Sequence, residues 1–151
     1  MHEAHLNIGS NYGDRMAYIA RAVALLSEHL EVVAVSDPVE SDPDGFDSTN
    51  RFVNVGVTVW TELDPFALLD LTQRTERSVG RMPHRNPDGT YRDRDIDIDI
   101  IYYDDLRVNS ARLTLPHPRM GLREFVLRPL RQLNPHKAKQ LYDQEMESNK
   151  E

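Results

Sequence analysis

The chain contains no cysteine among its 151 residues. Disulfides and thiolate metal sites are thereby excluded, and a reducing cytoplasm is the expected setting. Long apolar runs are missing too. No stretch approaches the roughly 20 residues of a membrane span, and no basic-then-apolar signal segment opens the chain, so no membrane partner is expected. Positive charge is in deficit, with 18 bases against 25 acids and a formal charge of −7. A surface built to coat nucleic acid carries the opposite sign, so no nucleic-acid partner is expected either. No internal repeat is visible. What remains, 39% hydrophobic and 28% charged residues, suits one globular domain with a real core.

One stretch is unusual: Arg92-Asp93-Arg94-Asp95-Ile96-Asp97-Ile98-Asp99-Ile100-Ile101. Acid and isoleucine alternate from Asp95 to Ile100, and a period of two is that of a β-strand. Asp95, Asp97 and Asp99 are expected on one face, Ile96, Ile98 and Ile100 on the other. Side chains two apart on a strand sit roughly 7 Å apart at the backbone, and like charges that close repel. A bound cation would offset the repulsion. Carboxylates from one rigid strand can converge on Mg²⁺, which keeps waters and shares its shell with substrate phosphates. Arginines beside such acids make a phosphoryl-transfer constellation. A solvated acidic face on an amphipathic strand is the alternative.

The rest of the chain supplies a frame. His5 to Ile8 reads as a strand, and Gly9 to Asp14 as a turn, either an ordinary one or one that brings N–H groups to a phosphate. Met16, Ile19, Ala20, Val23, Leu26 and Leu30 predict the core stripe of a helix over 15–30. A strand is expected over 31–39 and a polar loop over 40–50, a surface loop or a lid. Val53, Val55, Val57 and Val59 form the core face of a strand over 51–61. Phe52, Asn54, Gly56, Thr58 and Trp60 form its other face, packed under a helix or open to a flat ring. Asp64-Pro65 caps a second helix that Gly80 ends, with Gln73 and Glu76 on one face. Residues 81–94 form a basic loop, 106–108 a possible short strand, and 120–133 a helix containing Pro129. Beyond Pro135 a frayed helix or disorder is expected.

Arg94-x-x-Asp97-x-Asp99-Ile100 resembles the R-x-x-D-x-D-I block of the 6-hydroxymethyl-7,8-dihydropterin pyrophosphokinase family. Pro116-His117-Pro118-Arg119-Met120 through Arg123, Phe125, Leu127 and Pro129-Leu130 is similar to the family's P-H-x-x-M-x-x-R-x-F-x-L-x-P-L signature. Gly9-Ser10-Asn11, and Gln73-x-x-Glu76 with Gly80-Arg81, agree in order and spacing. The chain departs from the pattern in its loops, at Val39, Pro83, Tyr91, Arg92 and Asp93, more than on the acidic strand, where Asp95 adds an acid.

The resemblance implies an α/β (α+β), ferredoxin-like antiparallel sheet with helices on its faces. It implies a pyrophosphokinase domain over 1–135, followed by a charged C-terminal tail over 136–151. The implied reaction moves pyrophosphate from ATP to the hydroxymethyl group of 6-hydroxymethyl-7,8-dihydropterin and releases AMP, a step of folate biosynthesis. By the same resemblance, Asp97 and Asp99 hold two Mg²⁺ ions, and Arg81 and Arg94 neutralise phosphate charge. Gln73, Glu76, Ile100, Leu113, Thr114, His117 and Arg123 contact ATP. Ser41, Gly45, Phe52, Asn54 and Phe125 bind the pterin. A monomer is expected rather than an oligomer. The alternative function is a divergent paralogue that binds a nucleotide or a partner with little or no pterin turnover.

Overall fold

A computed structural model describes residues 1–42, 51–80, 95–118 and 123–148. In chain order these form β1 (His2–Ser10), α1 (Arg15–Ser27), β2 (Glu31–Val35), β3 (Val39–Ser41), β4 (Phe52–Thr61), α2 (Pro65–Val79), β5 (Asp97–Tyr103), β6 (Val108–Asn109), β7 (Thr114–Leu115), α3 (Glu124–Leu133) and α4 (Pro135–Ser148). The main sheet is antiparallel and runs β2-β4-β1-β5, with β3 also on β4. The series β1-α1-β2-β4-α2-β5 is the ferredoxin-like one. β6 and β7 make a separate small ribbon.

Local chemistry sets the helix starts. Asp14 accepts a hydrogen bond from Ala17 N at 3.2 Å, and Asp64 accepts from Ala67 N at 2.8 Å. Each satisfies an N–H that the first helical turn leaves unpaired. Pro65 fits the first position of α2 because no N–H is needed there.

The strand period sorts the sheet into two faces. Ala4, Leu6 and Ile8, the four valines from Val53 to Val59, and Ile98 and Ile100 meet Ile19, Ala22, Leu26, Leu68 and Leu71 in one core. That core lies under α1 and α2. Two residues of the expected α1 stripe, Met16 and Ala20, are exposed, because contact follows the Ile19–Ala22–Leu26 line.

The strand expected over 31–39 is two strands. Ser36 N donates to the Gly56 carbonyl at 2.9 Å, and Ser36 Oγ accepts from Gly56 N at 2.8 Å. Pro38, with no N–H to give, keeps the regular ladder from resuming until β3.

The other face is covered over part of its area. α3 lies across β3 and β4, and α4 packs on α3. Val126, Leu127 and Leu130 join Ile101, Tyr102, Ala138 and Leu141 in a second apolar cluster. Contact is close at Gly56, where a methyl group would lie 2.6 Å from His5 Cε1 and 2.9 Å from Pro129 Cβ. His5 is fully buried here, stacked on Tyr102 at 6.0 Å between ring centres. Burial pushes its imidazole down to about 3, so it is neutral.

Residues 135–148 correct the expectation of fraying or disorder, because they form a packed helix. Its anchor is a charged residue. Lys137 is buried, with Nζ 4.7 Å from the centre of the Tyr102 ring and donating to the Asp104 carbonyl (3.1 Å) and Asp105 Oδ1 (2.6 Å). A lysine stem can cover apolar surface while its head finds polar partners, which hydropathy alone does not register.

Candidate active site

The part of the second face that α3 and α4 do not cover carries polar residues, with Asn7 and Asn54 buried among them. Register places them in rows. Asn54, Gly9 and Asp97 form one row across β4, β1 and β5, and Gly56, Asn7 and Asp99 form the next. Neighbouring strands lie about 4.8 Å apart, so Asn54 and Asp97 stand roughly 10 Å apart at the backbone. Gly9, with no side chain of its own, leaves room there for the Asn54 amide. A methyl group there would sit 2.7 Å from Asn54 Oδ1 and 3.4 Å from Phe52 Cδ1.

Asp97 and Asp99 are half-buried on this face, as the alternation predicts. Asp95 is not with them, which corrects the expected trio. β1 ends at Ser10, so the ladder of β5 begins at Asp97 opposite Gly9. Asp95 precedes the strand and turns inward beside Gly80, at 1% exposure.

The outer edge of β5 is lined by α2 and by the segment after β7. Glu76 Oε2 accepts from Ile98 N at 2.8 Å, and His117 N donates to the Ile101 carbonyl at 2.8 Å. Between these struts lies a cavity of about 220 Å³, bounded by Leu69, Ile98, Asp99, Ile100, Leu113 and Thr114, and by His117. A larger cleft of about 510 Å³ lies between α4 and β6–β7, and neither Asp97 nor Asp99 lines it. Site assignment therefore follows the chemistry rather than the size of the cleft.

His117 links the cavity to the acids. Its Nε2 is 3.7 Å from Asp99 Oδ1, an ion-pair distance rather than a hydrogen bond, and its Nδ1 is 3.0 Å from the Pro118 carbonyl. Burial would lower its affinity for a proton, but the Asp99 carboxylate, the Pro118 carbonyl and Asp97 together raise it.

On the opposite side of the face, Asn54 Nδ2 donates to Ser41 Oγ at 3.0 Å. Ile100, Leu113, Thr114 and His117 thus share one cavity, and Ser41, Asn54 and Phe52 share the sheet face beside Gly9. Gln73 is exposed on α2, one turn before Glu76, and does not line the cavity. Arg123 stands half-buried at the start of α3, and Phe125 packs on the second apolar cluster. Arg81, Arg94 and Gly45 lie outside the described residues, as do most of the departures in the loops. Sequence reading passed over Asn7, Leu69 and Ile98. Asn7 had a signal, since His5, Asn7 and Gly9 alternate with the apolar residues of β1.

The donor set suits a hard, water-bearing cation. Asp97 and Asp99 offer carboxylate oxygens from one strand, and among the described residues no group of three or more His, Asp or Glu closes around a metal. An open pair of carboxylates fits Mg²⁺ shared with phosphates better than a closed structural site.

The chain is similar to several known proteins. A Bacillus subtilis (strain 168) 2-amino-4-hydroxy-6-hydroxymethyldihydropteridine pyrophosphokinase is 39% identical over 132 residues, covering 86% of this chain and 77% of its own. A Porphyromonas gingivalis (strain ATCC 33277) protein of the same name is 39% identical over 133 residues, covering 87% and 90%. Among solved structures, an HPPK-DHPS in complex with substrates superposes with a TM-score of 0.69 at 15% identity, over 97% of this chain and 43% of that one. This likeness speaks for the fold alone, and the chain spans less than half of that fused protein. The family model for 7,8-dihydro-6-hydroxymethylpterin-pyrophosphokinase (HPPK) matches residues 5–135, and with it and the curated relatives in agreement the chain belongs to that family.

Proposed function

We infer that this chain is an ATP-dependent diphosphotransferase of folate biosynthesis. It transfers pyrophosphate from ATP to the hydroxymethyl oxygen of 6-hydroxymethyl-7,8-dihydropterin and releases AMP. One observation carries the reading. Asp97 and Asp99 stand on β5 between the Asn54–Gly9 row and the cavity of Ile98, Ile100, Leu113 and Thr114. Two ligands bound on either side would meet at the carboxylates.

The apolar walls of the cavity, Leu69, Ile98 and Leu113, suit an adenine ring. Ile100, Thr114 and His117 complete the nucleotide side, with Gln73, Glu76 and Arg123 toward the phosphates. Glu76 spends one oxygen on Ile98 N, so part of its work is to hold the β5 edge in place. On the pterin side, Phe52 and Phe125 supply flat faces, Asn54 reads the ring edge, and Ser41 and Gly45 border it. Phosphoryl transfer depends on position and charge neutralisation more than on a strong base. Asp97 and Asp99 would hold Mg²⁺, two ions in this reading, and the bound metal would supply charge neutralisation for the phosphates. Arg81 and Arg94, with Arg123, supply positive charge to neutralise the phosphates in this reading. ATP dependence and the cysteine-free composition support a cytoplasmic setting, and this reading takes the protein as a monomer.

The test is direct. Enzyme, ATP, Mg²⁺ and 6-hydroxymethyl-7,8-dihydropterin are expected to yield AMP and the pterin diphosphate in equal amounts. Pterin binding with no AMP at high enzyme concentration would reject turnover in favour of a binding paralogue.

A further inference from the structure

Asn7 lies at the centre of the polar face and has no role in the assignments above. It is 3% exposed, flanked by Gly56 on β4 and Asp99 on β5. A buried carboxamide costs free energy unless its polar atoms are met. Asn7 Nδ2 donates to Asn54 Oδ1 at 3.3 Å, and Asn54 Nδ2 donates to Ser41 Oγ at 3.0 Å. Donors therefore point one way along a relay from β1 through β4 to β3. Asn7 Oδ1 has no hydrogen-bond partner among the described residues. The Asn54 oxygen rests over Gly9, in the space a methyl group would fill.

The direction of the relay has consequences. Ser41 cannot set it, because a hydroxyl both donates and accepts. With Asn7 Nδ2 toward Asn54, Asn54 turns Oδ1 to Asn7 and Nδ2 to Ser41, and turning both amides over would reverse that order. Asn54 keeps one lone pair on Oδ1 and one N–H on Nδ2 for a ligand. Their order along the face follows from which side Asn7 holds.

We propose that Asn7 is a positioning residue: by donating to Asn54 Oδ1 it fixes the direction of the Asn54 amide, and so the donor–acceptor order shown to the pteridine edge. This rests on the assignment of Asn54 as reader of the pterin. A pterin offers a 4-carbonyl acceptor beside an N3–H donor. A 2,4-diaminopteridine offers an amino donor beside an N3 acceptor. One amide direction matches the first pair and the reverse matches the second, so Asn7 discriminates 4-oxo from 4-amino rings.

Asn7→Asp tests this. A carboxylate only accepts, so Asn54 must turn its Nδ2 toward it and take the Ser41 hydroxyl hydrogen on Oδ1. The full chain, with Mg²⁺ and a non-hydrolysable ATP analogue, is titrated with 6-hydroxymethylpterin and with 2,4-diamino-6-hydroxymethylpteridine. A pH near 7 keeps both ligands neutral. The ratio of the two Kd values is read, because the new charge beside Asp99 acts on both ligands alike. The preference for the pterin is expected to fall by roughly tenfold or more.

A second measurement stands if Asn7→Asp does not fold. Asn7→Ala is expected to weaken pterin binding roughly three- to tenfold with Asn54 present, and not at all in an Asn54→Ala background. An unchanged Kd ratio in folded Asn7→Asp, or equal losses from Asn7→Ala in both backgrounds, would overturn the proposal. If Asn54→Ala alone leaves pterin affinity intact, the pterin assignment fails and this inference with it. If Asn54→Ala weakens the pterin while the Asn7 variants leave selectivity untouched, only this inference falls.

Discussion

On one face of the sheet, Leu6, Ile8, Val55 and Val57 press against α1 and α2 with no polar atom among their side chains. On the other face of the same strands stand Asn7, Gly9 and Asn54, with Asp97 and Asp99 beside them on β5. The backbone ladder is shared, so the difference comes only from which way successive side chains point. The first face stores stability through apolar burial. The second gives some of it up, leaving a buried amide oxygen unmet and two carboxylates close together, in exchange for a surface that can hold ions and phosphates.

The largest expected effect breaks the second face alone. Asp97→Ala is expected to lower kcat by roughly a thousandfold or more, because metal-assisted charge stabilisation contributes several kcal/mol. Its thermal midpoint should stay close to that of the parent. Near-normal AMP release by this variant would remove the metal role from β5. The converse break is Leu6→Ala. That residue is fully buried on the apolar face, and its truncation should cost about 2–5 kcal/mol in urea unfolding while the folded fraction keeps its kcat. Equal damage to kcat in the folded fraction would mean the faces are not separable.

A smaller effect sharpens the comparison within the second face, where its covered part behaves as core. His5 is neutral and buried, with its folded-state value lowered to about 3. Above the unfolded value of about 6.5 it is neutral in both states and costs nothing. As pH falls below that, the unfolded chain takes up the proton first, and stability is lost at up to about 1.4 kcal/mol per pH unit until His5 itself titrates. His5→Phe should flatten this acid limb in unfolding measured from pH 7 to pH 4, and an unchanged limb would assign it to other groups.

The smallest effect has the opposite sign. His117 binds its proton more tightly in the folded state, by way of Asp99. Its contribution is therefore fully present below the unfolded histidine value and lost as pH rises through the raised folded one. In metal-free protein the loss should be below about 1 kcal/mol, as for partly exposed ion pairs. It should vanish in His117→Asn, and a pH dependence that survives in that variant would rule the pair out as its source.

How much of this was legible varies with the range of the cause. Asp14 and Asp64-Pro65 announce helix starts because capping involves atoms three residues away. The alternation of Asp97, Ile98 and Asp99 announces a two-faced strand for the same local reason. Asp95 misleads, since its pattern continues the alternation but it precedes β5, whose ladder with β1 begins at Asp97 opposite Gly9. α4 misleads in the other direction. Its polar sequence hides the fit of Ala138 and Leu141 against α3 and of Lys137 over Tyr102. Asn7 was visible as a polar residue in β1, but the amide of Asn54, its partner, lies 47 residues away.

By itself the sequence determined the family, the alternating acidic strand, the helix starts and the apolar face, because each follows from periodicity, capping or short motifs along a few neighbouring residues. Tertiary structure alone decided that Asp97 and Asp99 but not Asp95 stand in the ladder on the polar face, that the last helix packs on α3, and that Asn7 reaches Asn54. Those outcomes depend on register and on contacts between strands and helices distant in the chain, where the free energy of one side chain is set by partners that local sequence does not name.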